Sequence, residues 1–289
     1  MNDIEIIVNK NQQEWEDNVQ SGDQYTIPWL NIDNERLEKY VNCELSGFHK
    51  PFGKINNTIL KNIRKLLYTN LTGKRVLCLA SGGGQQSVIF SLLGADVTVA
   101  DISQGQLNGD IQASNHYGYK IKTVICNMLD LSIFSNDYFD IVFQPVSICF
   151  VPDVFPVYKE VFRILKKGGL YEVGHINPST YPVDFENDID GWDGIGYRIS
   201  SPYIGGALRI DDKGNENMNK GEMTGEFRHL FIDIFCKLTE SGFQIKYVWE
   251  DERNLITETI KQEEIVPKKI SERNVYSVMQ RYINILSSK

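Results

Sequence analysis

The sequence predicts an α/β fold, a doubly wound sheet whose strands are mostly parallel. Three observations predict it. Short runs that are apolar and β-branched throughout, such as VLCLA, DVTVA and FDIVF, alternate with stretches of helical periodicity. Strands that are apolar on both faces belong to a parallel sheet covered by helices on each side. The first run stops at Ala80, before three consecutive glycines, and the second is followed at once by an acidic residue, Asp101.

The elements follow in order. Residues 1–50 are polar, with helical signals around Asn34–Cys43, and SGDQYTIPWL (Ser21–Leu30) reads as an ordered loop carrying aromatics. Helical spacing of apolar residues in Asn56–Leu67 predicts a helix leading into the sheet. Arg75–Ala80 reads as a strand, Gln85–Leu93 as a helix stopped by Gly94, and Asp96–Ala100 as a strand. Ser103–Tyr117 is a helix with Ser103 as its N-cap. Lys122–Cys126 and Phe139–Phe143 are strands, Val154–Leu165 a helix, and Gly168–Ile176 the fifth strand. The rhythm breaks over 178–225, a stretch rich in Gly, Asp, Asn, Tyr and Pro that suits an irregular insertion. Phe227–Ser241 is again helical, Gly242 ends it, Phe243–Trp249 is a strand, and Val275–Ile285 reads as the last one.

Composition narrows the function. The chain has 289 residues and a net charge of −8, with no run of Lys or Arg longer than two. A surface that tracks phosphates needs a basic face, so nucleic acid is not the expected partner. The five cysteines form no CxxC pair and none has a histidine at metal-ligand spacing, which predicts buried free thiols and no metal. The start, MNDIEIIVNK, lacks the basic and apolar regions of a signal peptide, and no apolar stretch approaches the ~20 residues of a membrane span. The expectation is a cytoplasmic chain, monomeric or homodimeric, that does not engage a membrane.

In an open parallel sheet, ligands bind beyond the carboxyl ends of the strands. Gly82, Gly83 and Gly84 lie at that edge, where a bare backbone can approach a ligand and adopt positive φ. A turn that merely needs glycine is the plainer account, though one glycine would serve it. Asp101 closes the second strand, where a carboxylate can accept two hydrogen bonds from ribose hydroxyls. The loop is also close to a dinucleotide fingerprint, with Ser87 in place of its last small residue.

Five stretches in order discriminate between these. VLCLASGGGQQS, DVTVADIS, CNMLDLSIFSNDYFDIVF, QPVSICFVPD and EVFRILKKGGLYEVGHINP resemble the class I S-adenosylmethionine-dependent methyltransferases, most closely the type 11 branch that includes quinone-ring and small-molecule enzymes. The resemblance implies a Rossmann-like sheet with an antiparallel final strand. It implies a core over 56–177 that binds S-adenosylmethionine, an N-terminal cap over 1–55, a substrate-side insertion over 178–225, and a C-terminal completion over 226–289. It places Ala80, Ser81, Gly82, Gly83, Gly84 and Gln85 in the cofactor loop, Asp101 at the ribose and Ile102 on the adenine. Asn127 and the backbone of Met128 would face the adenine edge, and Gln144 and Val146 the methionine part. The family's acidic residue in the first strand is here Cys78, and its first glycine is Ala80.

Methyl transfer requires alignment of donor and acceptor in a dry site and no covalent intermediate. A general base assists some acceptors, and His175, ending the fifth strand, then His229 are the candidates. Tyr25, Trp29, Tyr181, Trp192, Tyr197 and Tyr203 are aromatics suited to a planar or apolar acceptor, or equally to a minor core. A nicotinamide-dependent dehydrogenase and a non-catalytic S-adenosylmethionine-binding sensor or partner protein are the competing readings.

Overall fold

The computed structural model describes residues 3–42, 58–181, 205, 225–250 and 282–289. Its centre is a seven-stranded sheet in the order β3-β2-β1-β4-β5-β7-β6. The strands are β1 (Arg75–Leu79), β2 (Asp96–Asp101), β3 (Lys122–Ile125), β4 (Phe139–Gln144), β5 (Leu165–Ile176), β6 (Gln244–Glu250) and β7 (Tyr282–Ser288). The first five run parallel, and β7 is wedged antiparallel between β5 and β6. Strand order reverses between β1 and β4, which opens a crevice beyond their carboxyl ends.

Alternation along each strand feeds two cores. Leu77 and Leu79 of β1, Val142 of β4 and Tyr171 and Val173 of β5 face one side. There they meet α6 (Phe155–Ile164) through Val157, Tyr158 and Val161, and α7 (Lys237–Glu240) through Leu238. Val76 and Cys78 of β1, Val97 and Val99 of β2, and Phe143 of β4 face the other. They pack on α3 (Thr58–Tyr68), α4 (Gln86–Leu92) and α5 (Gln104–Tyr117) through Leu60, Ile63, Leu67, Ile89, Phe90 and Leu107. Double-sided burial of this kind is what a run such as VLCLA records. Ser103 caps α5 by accepting the Gln106 N–H at 3.0 Å, and Gly118 closes it in the left-handed region.

The structure differs from the sequence reading at three places. Residues 3–21 form a long helix, α1 (Asp3–Ser21), that packs along α5. Its Gln-, Asn- and Glu-rich sequence has only a weak apolar stripe, so periodicity does not announce it. A second helix, α2 (Asn34–Val41), follows where the signals put it, capped by the Asp33 carboxylate, which accepts the Arg36 N–H. The expected helix from Phe227 begins later. Residues 225–230 are extended because the Phe227 N–H donates to Cys149 O at 2.7 Å, and a wide turn over Ile232–Cys236 precedes α7. The last strand is Tyr282–Ser288, displaced from Val275–Ile285, whose first part lies outside the described residues. Most of the expected insertion lies outside them too.

The glycine turn is locked by backbone packing. Ala80 (φ 45°), Gly83 (φ 96°) and Gly84 (φ 71°) all sit at positive φ. A Cβ on Gly84 would overlap the Gly109 carbonyl of α5, and one on Gly109 would lie 2.9 Å from the carbonyl carbon of Gly83. Tyr25 and Pro28 close on the same two glycines from the N-terminal side, where the Trp29 N–H donates to Gly84 O at 2.9 Å. Glycine to alanine inside a helix ordinarily gains about 1 kcal/mol. Gly109→Ala is expected instead to cost about 1–3 kcal/mol through overpacking. Denaturant unfolding checks this, and an equally stable variant would show that the contact has slack.

Candidate active site

One cavity of about 760 Å³ lies over the carboxyl ends of the strands. That is within the ~300–1,000 Å³ typical of a small-molecule site. It has two ends. One is formed by Ala80, Ser81 and Gly82 after β1, Asp101 and Ile102 after β2, Gln106 of α5, and Cys126 and Met128 after β3. The other lies over β4, β5, β7 and β6, floored by Phe143, Glu172, Asn284 and Trp249 and walled by Tyr40 of α2 and Arg64 and Tyr68 of α3. α1 roofs it with Asn11, Glu14, Trp15 and Asn18, Trp15 resting edge-on against Phe150.

The first end has the donor and acceptor pattern of a nucleoside site. Asp101 is buried, and burial raises its carboxyl above the usual range. The N–H groups of Gly82 and Ser103 oppose that rise, donating to Oδ2 and Oδ1 at 3.0 Å each. Each oxygen keeps a second acceptor position, which suits a pair of ribose hydroxyls. Gln106 lines the same wall at 4% exposure, and its Oε1 has no hydrogen-bond partner. That oxygen faces Gly83, where a Cβ would stand 2.8 Å from it. Gly82 completes the cradle, since a Cβ there would stand 2.5 Å from Gln106 Cβ and 3.1 Å from Asp101 Oδ2. These residues fit a nucleoside cofactor.

The aromatic end is ordered by stacking. The Arg64 guanidinium lies 4.5 Å from the Tyr40 ring centroid and 5.3 Å from that of Tyr68. Tyr68 stacks on Phe90, which meets Phe143 edge-on. The Tyr68 hydroxyl is held far above its ordinary value, first by burial and also by the nearby charge of Glu172. Burial lifts the Cys126 thiol to about 11, so it is protonated at neutral pH. Among the described residues no cluster of His, Cys, Asp and Glu could hold a metal ion.

Of the expected cofactor residues, Ala80, Ser81, Gly82, Gln85, Asp101, Ile102, Met128 and Val146 line the cavity, as do Tyr25 and Trp29. Gln85 also ties the loop to the N-terminal segment, donating to Gln24 O at 2.9 Å and Ile27 O at 3.0 Å. Gly83 and Gly84 stand behind the lining and serve packing. Asn127 is turned into its own turn, its Oδ1 accepting the Leu129 N–H at 3.0 Å. Gln144 is buried beneath the surface, bonded to the Tyr171 hydroxyl at 2.6 Å and to Met128 Sδ at 3.4 Å. Tyr203, Trp192 and Tyr197 lie outside the described residues.

The structure places both candidate histidines outside the cavity lining. His175 is 1% exposed, absent from the lining, and its Nε2 lies 2.9 Å from the Tyr158 hydroxyl. His229 is equally absent from the lining and donates from Nε2 to Val151 O at 2.8 Å. Burial holds both imidazoles below their ordinary value, so they are neutral. Position at a strand end does not decide side-chain direction, and both rings turn into the packing under the site. Tyr181 belongs with them, its hydroxyl accepting the His229 N–H at 3.1 Å. The cavity is also lined by residues outside the expected set, Gln106, Gln86, Glu172 and the α1 face. Gln106 was within reach of the sequence, because an N-cap at Ser103 puts residue 106 on the turn that faces the glycine loop.

Comparison with known proteins agrees with this geometry. A methyltransferase-domain family model matches residues 77–173. An uncharacterized methyltransferase of Bacillus subtilis (strain 168), YbaJ, is 31% identical over 253 residues, covering 88% of this chain and 94% of its own. A ubiquinone biosynthesis O-methyltransferase of Coxiella burnetii is 30% identical over 159 residues, 53% of this chain and 66% of its own. In fold, an S-adenosylmethionine-dependent methyltransferase from Mesorhizobium loti superposes with a TM-score of 0.59 at 17% identity, covering 81% of this chain and 99% of its own.

The placement of His175 has a measurable consequence. His175→Gln removes a buried partner of Tyr158 and is expected to cost about 1–3 kcal/mol of stability with nucleoside affinity unchanged. Thermal unfolding and ligand titration of the same variant check it; a selective loss of affinity would return His175 to the site.

Proposed function

The chain belongs to the class I S-adenosylmethionine-dependent methyltransferases, and on that premise we propose that it moves the methyl group by in-line displacement onto a small-molecule acceptor held in the aromatic end of the cavity. The observation that carries this reading is the continuity of the two ends. A single space runs from Asp101 to Glu172 and Trp249, so donor and acceptor can meet inside it.

S-adenosylmethionine supplies a methyl group already activated on a sulfonium. Asp101 and Gln106 would hold the nucleoside, and Ile102 and Met128 would flank its base. The displacement disperses charge and gains from a dry, aligned site. Tyr40, Tyr68, Phe143 and Trp249 supply flat apolar surface for a planar acceptor. With both histidines outside the lining, Glu172 on the floor of that end is a carboxylate that could take a proton from an acceptor O–H or N–H, with Glu14 and Glu226 also lining the cavity.

Two experiments test this. Titration calorimetry with S-adenosylmethionine, S-adenosylhomocysteine and NAD is expected to show micromolar binding of the two sulfur nucleosides and none of NAD. Asp101→Ala is expected to weaken that binding about 100-fold, since hydrogen bonds to a charged group contribute about 1.5–3 kcal/mol each. Unchanged affinity would refute the ribose assignment. Once an acceptor screen yields turnover, Glu172→Gln is expected to lower kcat by about 100-fold at constant cofactor affinity; full turnover would remove Glu172 from the chemistry.

A further inference from the structure

Gln144 ends β4 at the crevice, beside Val173 of β5, yet its amide does not line the cavity. The residue is 1% exposed. Its Nε2 donates to Met128 Sδ at 3.4 Å, and its Oε1 accepts the Tyr171 hydroxyl at 2.6 Å. The sulfur decides which way the amide points. A thioether can only accept, so the nitrogen faces Met128 and the oxygen is left for Tyr171. Burial holds the Tyr171 hydroxyl above its ordinary value, so it remains a donor.

This chain of bonds starts deep in the core and ends at the cavity. Tyr171 is fully buried. Its ring lies tilted against Phe243, with centroids 5.3 Å apart, and edge-on to Tyr158 at 6.3 Å. These contacts fix the hydroxyl, the hydroxyl fixes the amide, and the amide reaches the sulfur. Of the three residues Met128 lines the cavity, at the end shared by Asp101, Ile102 and Cys126.

An amide buried this deeply is a costly way to fill space. Val142, Val173 and Met128 belong to the same apolar core, and a leucine at position 144 would carry no polar group to desolvate. What the amide adds is direction. Methionine has three rotatable bonds and adapts to its surroundings. A donor held on its sulfur removes that freedom where the wall of the cavity is formed.

We propose that Gln144 is a positioning residue for the cofactor: braced by Tyr171, it holds the Met128 side chain in the arrangement that flanks the base of the nucleoside. The inference rests on the methyltransferase reading of the cavity, in which Met128 borders that base.

The test reads affinity and side-chain order in the full chain. Gln144→Leu is expected to weaken S-adenosylhomocysteine binding roughly tenfold, within the range of interaction energies between residues in contact. The methyl NMR signal of Met128 (identified by its loss in Met128→Leu) is expected to be one sharp line in the ligand-free wild type and broad in Gln144→Leu. With Met128→Leu already in place, adding Gln144→Leu is expected to cost no further affinity, because the amide acts through that sulfur. Wild-type affinity in Gln144→Leu, a sharp methyl line in that variant, or losses that simply add in the double variant overturn the proposal.

A second pair separates positioning from packing. Gln144→Leu alone removes the acceptor of the Tyr171 hydroxyl. Tyr171→Phe combined with Gln144→Leu removes both polar groups together, which costs little stability, and it serves also if the single variant does not fold. Affinity is expected to stay about tenfold weaker than wild type in this combination. Recovery of wild-type affinity would make Gln144 a packing residue and overturn the proposal. If the wild-type chain binds no S-adenosylhomocysteine, the reading of the cavity itself falls and takes this proposal with it, an outcome distinct from binding that ignores Gln144.

Discussion

The cavity depends on one contact, the backbone-to-backbone approach of the Gly83–Gly84 turn and Gly109 of α5. Neither side has room for a Cβ, so three residues far apart in role are glycines for one steric reason. The approach brings the first turn of α5 against the loop, and with it Gln106 and the Ser103 cap. Asp101 then reaches Gly82, and the N-terminal segment seals the remaining side through the Trp29 N–H and the Gln85 amide. The glycine-loop end of the cavity is therefore a product of helix–loop packing as much as of the strand that carries the loop.

Around that contact the polar groups divide by what water can reach. Asp101 and Gln106 line the cavity. His175, His229, Tyr158 and Tyr181 bond to one another and to the backbone below it. Desolvation lowers the buried histidines below their ordinary value and raises the carboxyls of Asp101 and Asp110 above theirs. Glu172 illustrates the geometry. It shares a row of the sheet with Phe143 and Leu286, and Phe143 is in turn paired with Cys78. The row is neutral where it passes under the glycine turn and acidic where it floors the aromatic end.

Much of this was legible in the sequence. Apolar β-branched runs and the helical spacings between them located all five parallel strands and the helices of the core, because burial on both faces leaves few other residues possible there. The glycine turn and Asp101 were legible because backbone sterics and strand-end chemistry act locally. The long α1 was not, since a polar helix held by a few contacts, such as Glu16 to the Gly105 N–H, carries little periodicity. The extended 225–230 segment was not, since its apolar spacing suits a helix and only the carbonyl of Cys149, far away in sequence, makes extension better.

The sequence by itself determined the sheet, its helical covering and the edge at which the cavity opens, because those follow from periodicity, glycine and an acidic strand end within short stretches of chain. Tertiary structure decided which polar side chains face the cavity. Gln106, Glu172 and the α1 face turn in, and Asn127, Gln144 and both histidines turn away. Side-chain direction at a strand or helix end is set by partners brought together only by folding, and those partners leave no mark at the residue itself.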